Sequence, residues 1–193
     1  MTRFEQAIQQ IDLANSQDPN KEIWQGKEYP KELLYSERMT HWLEQLAPNA
    51  PETLRLAARG QHLCRWMIPR KNYPANRAGY FKWRTTLYEF HAQKVEDILK
   101  KAGYDLQEIQ KARDLICKKE IKSNPEMQTL EDVICLVFLE NYFADFSKQH
   151  EEEKVLSIVN KIWKKMSVRG QEVARQLKMS PEILRTIEKG LIG

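Results

Sequence analysis

The sequence predicts an all-α protein, a compact single-domain bundle of seven to nine helices over residues 1–193. Apolar residues recur every three or four positions along most of the chain, whereas the alternation typical of surface strands is nearly absent. Prolines and glycines divide this pattern into lengths typical of helices. Hydrophobic residues form 41% of the chain, which is enough for a sizeable core.

The first helices are marked by apolar stripes on either side of a polar loop. Phe4, Ile8 and Ile11 lie on one face of the first predicted helix. Residues 16–30 carry turn-forming residues at both ends and are predicted to be a loop. Pro30 suits the first turn of the second helix, because a proline there gives up no helical hydrogen bond.

The middle of the chain is predicted to hold two helices joined by an irregular segment. A third helix runs from about Pro51 to Met67, and a long fourth helix begins at Tyr80 and ends at Gly103. Residues 68–79 between them contain two prolines and a glycine, and they cannot form one helix.

Gly60 falls inside the third predicted helix, where glycine costs roughly 1 kcal/mol relative to alanine. A glycine kept at such a position indicates the close approach of another helix or of a ligand. It lies two residues before His62.

The second half of the chain continues as helices with clear boundaries. Asp105 is placed to cap the next helix, and Asn124-Pro125 breaks the chain after it. The helix that follows Thr129 is apolar around most of its circumference, which predicts a buried position. Residues 155–166 form another amphipathic helix, and Pro181 suits the first turn of the last one.

Bulk features narrow the class of protein. The chain has no run of roughly 18 apolar residues, so neither a transmembrane helix nor a membrane partner is expected. The first fifteen residues alternate polar and apolar types, unlike a signal peptide. The three cysteines are scattered and form no CxxC motif, which is typical of buried thiols in a reducing compartment. We therefore expect a cytoplasmic protein.

Charge is strongly segregated along the chain. Residues 53–88 carry eight basic residues and no acidic residue, whereas the whole chain has 31 basic and 27 acidic residues. The window therefore carries a charge of +8, and the rest of the chain a charge of −4. The same window is rich in tyrosine and tryptophan, and we call it the basic aromatic window.

Two histidines are predicted to point inward. His91 shares a helical face with Leu87 and Val95, and His62 follows Ala58 by four residues on a largely apolar face. Inward histidines on separate helices are able to face each other. The ordinary alternative for each is a core residue that is hydrogen-bonded to the backbone or to a carboxylate.

The buried helix after Thr129 begins with the acidic pair Glu131-Asp132. Two imidazoles with one or two carboxylates suit a divalent metal, so His62, His91 and Asp132 are the candidate metal ligands. Glu131 is the candidate general base or a fourth ligand. The ordinary alternative for the acidic pair is stabilisation of the first turn of its helix.

The cations of the basic aromatic window have two functional interpretations. Arginine presents a planar fork that suits phosphate and carboxylate, which favours a small anionic ligand. Arginines interleaved with aromatic residues also bind single-stranded nucleic acid. The structural alternative is pairing with the acidic remainder of the chain. The candidate substrate-binding residues are Arg59, Arg65, Arg70, Lys71, Arg77 and Arg84.

Several long motifs together cover nearly the whole chain. They are ELLYSERM, LRLAARGQHLCRW, IPRKNYPANRAGYFKWR, FHAQKVEDIL, TLEDVICLVFLENYFADF and EEEKVLSIVNKIWKKMS. These motifs resemble the domain-of-unknown-function family 4202. The resemblance implies no activity, because the family is uncharacterised.

The spacing of the candidate ligands resembles the HD-domain metal phosphohydrolases, which are all-α. His62 precedes His91 by 29 residues, and Asp132 follows His91 by 41. The resemblance implies an HD-like fold and a divalent metal such as Mn, Fe, Zn or Mg. Ala92 stands where that family has the aspartate of its His-Asp pair, which makes Glu131 a replacement ligand.

These patterns lead to two expectations about function. The first is an intracellular metal-dependent hydrolase acting on a phosphorylated or nucleotide-like small anion, in which the metal activates a bound water. The second is a non-catalytic helical module that binds RNA or an acidic protein through the basic aromatic window. The sequence leaves the oligomeric state open.

Overall fold

Helices form nearly all of the regular structure in residues 1–119, 123–179 and 181–192, the part of the chain that this computed structural model describes. The chain divides into two compact units, residues 1–127 and 128–193. The predicted all-α fold is confirmed. The described residues contain ten α-helices rather than seven to nine, and they include two short helices that the sequence pattern did not locate, Phe143–Lys148 and Val168–Arg175. A single domain over 1–193 and an HD-like arrangement stay predictions.

The first unit contains five α-helices and two one-turn 3₁₀ helices. The α-helices are α1 (Arg3–Asn15), α2 (Lys31–Leu46), α3 (Glu52–Arg59), α4 (Arg77–Lys101) and α5 (Leu106–Ile116), and the 3₁₀ helices are Arg65–Met67 and Arg70–Asn72. The long helix α4 packs along α5, and α3 packs against both α2 and α5. Asp105 caps α5 as predicted, since its side chain accepts a hydrogen bond from the Glu108 N–H at 2.8 Å.

A small antiparallel hairpin occupies most of the segment predicted to be a loop. Strand β1 (Lys21–Trp24) pairs with β2 (Lys27–Pro30), and Lys21 lies opposite Pro30. Gln25 and Gly26 both have positive φ angles, which is the geometry of a tight two-residue hairpin turn. The strands are four residues long and mostly exposed, so they carry no hydrophobic alternation that the sequence could show.

The third predicted helix ends earlier than its apolar pattern indicated. Helix α3 stops at Arg59, and Gly60 to Cys64 form turns. Cys64 adopts the left-handed conformation with φ 56°, and its backbone N–H donates to the Asn15 Oδ1 atom at 3.0 Å. The Asn15 side chain is fully buried and holds Cys64 in this conformation. The residues between Arg59 and Cys64 therefore form turns and do not continue the helix. His62 therefore lies in a turn and not on a helical face.

Gly60 marks a close helix approach, as expected. A Cβ atom placed on it would lie 2.4 Å from the Cγ2 atom of Val95 on α4. No side chain fits in that space without movement of α3 or α4. The contact brings the end of α3 against the buried face of α4, one turn beyond His91.

The second unit is built around a helix whose residues are mostly apolar and buried. Its described helices are α6 (Pro125–Asn141), which begins three residues before the unit does, α7 (Phe143–Lys148), α8 (Glu152–Lys165), α9 (Val168–Arg175) and α10 (Pro181–Ile192). Residues of α6 supply much of the buried core, as predicted, and α10 packs along α8. Among the described residues, no helix has both the length and the apolar character needed to cross a bilayer.

Replacing Gly60 with alanine is expected to destabilise the protein by about 1–3 kcal/mol, because the added methyl group overlaps the Val95 side chain. Urea unfolding followed by circular dichroism measures the change. The double variant Gly60→Ala/Val95→Ala is the control, because it removes the overlapping methyl groups. Its loss of stability is expected to be smaller than the sum of the two single losses, and simple additivity would contradict the close contact.

Candidate functional site

The two inward histidines lie side by side in the first unit. The ring centroids of His62 and His91 are 6.0 Å apart, and the ring planes are tilted by 35°. His91 is buried on α4, whereas 23% of the His62 side chain is exposed. His62 thus connects a buried polar cluster to the surface.

His91 has one satisfied and one unsatisfied ring nitrogen. Its Nδ1 atom lies 2.8 Å from the Leu63 carbonyl oxygen. A carbonyl only accepts, so Nδ1 carries the proton and Nε2 presents a lone pair. Among the described residues, the buried Nε2 atom has no hydrogen-bond partner. Burial, which is the larger cause, and the neighbouring His62, which is the second, lower the pKa of His91 to about 3. Its imidazole is therefore neutral near pH 7.

The tautomer of His62 is fixed by its two partners. Its Nε2 atom lies 3.0 Å from the Arg65 Nη1 atom, and its Nδ1 atom lies 3.1 Å from the Glu32 Oε2 atom. Arginine only donates, so Nε2 accepts and Nδ1–H donates to the carboxylate. The ring also stacks on Tyr35, with centroids 3.8 Å apart. Burial, and then the charge of Arg65, lowers the pKa of His62 well below its ordinary value.

Glu32 completes this cluster, although the sequence did not single it out. It lies in the first turn of α2, where an acidic residue is expected merely to favour the helix dipole. Its backbone N–H donates to Asp18 at 3.0 Å, and its carbonyl accepts from the Asn15 amide at 3.4 Å. Burial raises the pKa of Glu32. The available signal was its spacing, since Glu32 lies on the inward stripe with Tyr35 and Met39.

Glu131 and Asp132 are both buried and belong to the second unit. The Asp132 carboxylate accepts hydrogen bonds from the Ser167 N–H at 2.8 Å and from the Ser167 hydroxyl at 2.5 Å. It also lies against Gly170, where a Cβ atom would be 2.6 Å from the Asp132 Cγ atom. Asp132 therefore has a structural role at the start of α9. The catalytic role predicted for Glu131 stays a prediction.

The structure shows no ready-made metal site among the described residues. In the part of the chain that the structure describes, no group of three or more histidine, cysteine, aspartate or glutamate side chains is arranged to hold a metal ion. Both ring nitrogens of His62 already have partners. The metal-ligand roles of His62, His91 and Asp132 stay predictions, and no step below depends on a metal.

Three candidate substrate-binding arginines contact groups of the first unit. Arg59 is buried, and its guanidinium forms two hydrogen bonds of 2.7 and 2.8 Å with the Asp12 carboxylate, which ties α3 to α1. Arg70 donates to two carbonyls of its own loop, both at 2.8 Å. Arg65 contacts His62 and lies over the Trp83 ring at 4.9 Å. Of these three, Arg65 alone reaches the histidine pair.

The start of α4 carries cations and exposed rings together. Tyr80 and Phe81 are 42% and 50% exposed. The Arg77 guanidinium lies 5.6 Å from the Phe81 ring centroid, and Arg84 lies 5.6 Å from that of Tyr80. We call Arg77, Tyr80, Phe81 and Arg84 the α4 cationic surface. Within the described residues, no carboxylate pairs with either arginine. Lys71 is exposed in the 3₁₀ helix Arg70–Asn72 that precedes α4.

Comparison with known proteins identifies the family. Residues 5–187 match the family model described as Domain of unknown function (DUF4202). The chain belongs to the DUF4202 family. The match covers almost the whole chain, so the resemblance drawn from the sequence motifs is confirmed. No curated protein matches the DUF4202 chain, and no solved structure does. The resemblance to the HD-domain phosphohydrolases stays a prediction.

Acid is expected to destabilise the protein through its buried histidines. A histidine whose pKa is lowered on folding binds its proton more readily in the unfolded chain, so its contribution is full above about pH 6.5 and is lost as the pH falls toward 3. For His91 the free energy of unfolding should fall by about 2 kcal/mol between pH 7 and pH 5. Denaturant unfolding at both values measures this.

His91→Asn is the matched variant for this measurement. The asparagine amide is able to donate to the Leu63 carbonyl as Nδ1 does, but it does not titrate. The variant should lose about 2 kcal/mol less than the wild type over this pH range. Equal pH dependence in the two proteins would contradict a neutral, buried His91. The raised pKa of Glu32 acts in the opposite direction.

Proposed function

We propose that this DUF4202 protein is a cytoplasmic hydrolase that acts on a small phosphorylated anion at the cluster of Glu32, His62, Arg65 and His91. The observation that carries the proposal is the unprotonated Nε2 atom of His91, which is buried and lacks a partner among the described residues. Leaving such an atom unsatisfied costs about 1–3 kcal/mol, so it calls for an explanation. A hydroxyl group or water that binds with the substrate would donate to it.

The cluster offers positive charge for the anion. The charges of Arg65, Lys118 and Lys31 all act to lower the pKa of His62, so these three cations add positive potential at that ring. The Arg65 side chain is 30% exposed and has five N–H donors, so it is able to turn from His62 and hold a phosphate oxygen. Arg65 is therefore the residue we assign to substrate binding.

The Glu32–His62 pair supplies the acid–base chemistry. When Arg65 moves toward the phosphate, the Nε2 atom of His62 becomes free to take a proton from an attacking water. The Nδ1–H bond to Glu32 keeps the ring in the required tautomer and stabilises the imidazolium that forms. The new oxygen–phosphorus bond forms as the bond to the leaving oxygen breaks. The leaving oxygen takes a proton from solvent, and the imidazolium releases its proton to solvent.

The proposal predicts hydrolysis of phosphoesters or nucleotides, measured as release of inorganic phosphate across a substrate panel. His62→Asn should lower kcat by roughly 100-fold or more, because the base is lost. Arg65→Lys should mainly raise KM, since lysine lacks the planar fork. His41→Ala is the matched control, because His41 is exposed on α2 and lies outside the cluster.

Metal dependence belongs to the same experiment. The purified protein is analysed for bound Mn, Fe, Zn and Mg and is assayed before and after refilling with each ion. Stoichiometric metal that disappears in His62→Ala and His91→Ala would support the predicted metal. The hydrolase proposal would be wrong if no preparation released phosphate from any substrate, or if His62→Asn retained the wild-type rate.

A second candidate function is binding of single-stranded RNA by the α4 cationic surface. The specific observation is that Arg77 and Arg84 each lie within cation–π distance of an exposed ring, and neither has a carboxylate partner among the described residues. Bases stack on exposed aromatic rings, and arginines neutralise the phosphates between them. This function requires no catalytic residue and is independent of the histidine cluster.

A short fluorescent oligouridylate is expected to bind the wild-type protein, with an affinity that falls as salt rises. Arg77→Glu and Arg84→Glu should each weaken binding roughly tenfold, and Phe81→Ala should lose one stacked base, about 1–3 kcal/mol. Fluorescence anisotropy measures these changes. Lys27→Glu, on the exposed hairpin, is the charge-matched control. Equal binding of polyglutamate, unaffected by Phe81→Ala, would instead indicate an acidic protein partner.

A further inference from the structure

The histidine cluster and the α4 cationic surface are joined by a row of close side-chain contacts. Arg65 is the first link, because its Nη1 atom lies 3.0 Å from the His62 Nε2 atom and its guanidinium lies 4.9 Å from the Trp83 ring centroid. The Trp83 ring centroid lies 6.0 Å from that of Tyr80. We call His62, Arg65, Trp83 and Tyr80 the connecting row. Tyr80 also belongs to the α4 cationic surface, so the row leads from the cluster to that surface within one compact unit.

Trp83 holds a fixed place in the middle of the connecting row. Trp83 is only 9% exposed, and its Nε1–H donates to the Ile68 carbonyl at 2.9 Å. A second guanidinium, that of Arg70, lies 5.9 Å from the same ring centroid. The face of this ring attracts cations, so it holds the Arg65 guanidinium between the histidines and the exposed rings of α4.

A second set of contacts runs along the next turn of α4. Arg84 lies 5.6 Å from the Tyr80 ring centroid and 5.4 Å from that of Tyr88, and it donates to the Tyr88 hydroxyl. Lys118 lies 5.9 Å from the Tyr88 ring centroid and adds positive potential at His62. Positive charge therefore continues from the cluster along the start of α4.

The charge along this path stays positive when the neighbouring acids are counted. Glu32 accepts from His62 and lies 3.9 Å from the Arg65 Nε atom. The connecting row and the α4 cationic surface contain three arginines, Arg65, Arg77 and Arg84, and one carboxylate neutralises at most one of them. Residues 53–88, which supply all three arginines, contain no acidic residue.

A single-stranded oligonucleotide with a terminal phosphate suits this combination of groups. Tyr80 and Phe81 offer exposed faces for bases, and Arg77 and Arg84 lie beside them for the phosphates between the bases. A terminal phosphate carries a charge of about −1.5 to −2 near pH 7, whereas each internal phosphate carries a single charge. The terminal phosphate is therefore the part of the strand that the cations around the histidines attract most strongly. Binding at α4 alone does not need the cluster, but the connecting row brings both within reach of one strand.

We infer that the histidine cluster and the α4 cationic surface form one site, and that the proposed hydrolase, on which this inference rests, removes the terminal phosphate of a single-stranded oligonucleotide. Arg65 holds the terminal phosphate, and Tyr80 and Phe81 hold the bases. Water supplies the new oxygen on phosphorus and gives a proton to His62, and the bond from phosphorus to the terminal ribose oxygen breaks. The products are inorganic phosphate and an oligonucleotide with a hydroxyl end.

Phosphate release from substrates of different length tests the substrate assignment on the full-length protein. Tetrauridylate with a phosphate at the 5′ or the 3′ end is compared with uridine monophosphate carrying the phosphate at the same position. One of the tetranucleotides is expected to have a kcat/KM at least about tenfold above that of its mononucleotide, because further bases stack on α4. Phe81→Ala and Arg77→Glu should each lower this ratio at least about fivefold.

Lys101→Glu is the matched control for Arg77→Glu. Lys101 is exposed in the last turn of the same helix, roughly 36 Å from Arg77 along the helix axis. The control variant should keep the wild-type ratio of the two kcat/KM values. Phosphate release from the mononucleotide without a preference for either tetranucleotide would overturn this inference and leave the proposed hydrolase intact.

A binding measurement does not depend on turnover. His62→Asn, which is expected to be inactive, is titrated into fluorescent tetrauridylate with and without the terminal phosphate, and anisotropy is recorded. The phosphate should tighten binding at least about fivefold, and adding Arg65→Gln should remove this difference in a protein that circular dichroism shows to be folded. Equal affinities before that change would overturn the joint site. Phosphate-dependent binding without phosphate release from any substrate would instead overturn the hydrolase and its substrate, but not the joint site.

Discussion

The hydrogen bond from buried His91 to the Leu63 carbonyl determines where the polar cluster forms. It fixes the turn after α3 against α4, and that turn carries His62. The approach of Gly60 to Val95 brings the two backbones close enough for this bond. Asn15 holds the far side of the turn through Cys64. Because backbone and side-chain contacts converge on five consecutive residues, the position of His62 is set on both sides.

Much of the fold could be predicted because helix boundaries and helix faces depend on residues that are close together in the sequence. The cap at Asp105, the breaks around prolines and the buried face of α4 all follow from neighbours within a few positions. Gly60 also revealed its role, since a glycine inside an apolar helical pattern needs a reason. The hairpin of residues 21–30 escaped prediction because its stability comes from turn geometry and backbone pairing and not from a hydrophobic pattern.

The candidate site was only partly predictable, because some of its contacts join residues that are far apart in the sequence. The inward position of His91 follows from helical spacing, but His62 reaches it from a turn that the apolar pattern did not show. Glu32 lies thirty residues earlier in the chain, and its contact with His62 has no sequence signature. In the same way, the contacts of Arg59 with Asp12 and of Asp132 with Ser167 join distant parts of the chain and have no sequence signature.

The two polar contacts of Asn15 and the ion pair of Asp12 make α1 important for the positions of the residues around the histidine cluster. The Asn15 amide contacts the backbone of both Glu32 and Cys64, and Asp12 neutralises buried Arg59. A protein shortened by α1 would keep every residue of the histidine cluster yet lose the groups that align them. The first fifteen residues are therefore part of the smallest segment that holds the histidine cluster in place, and a truncation that removes Asp12 and Asn15 removes contacts that support it.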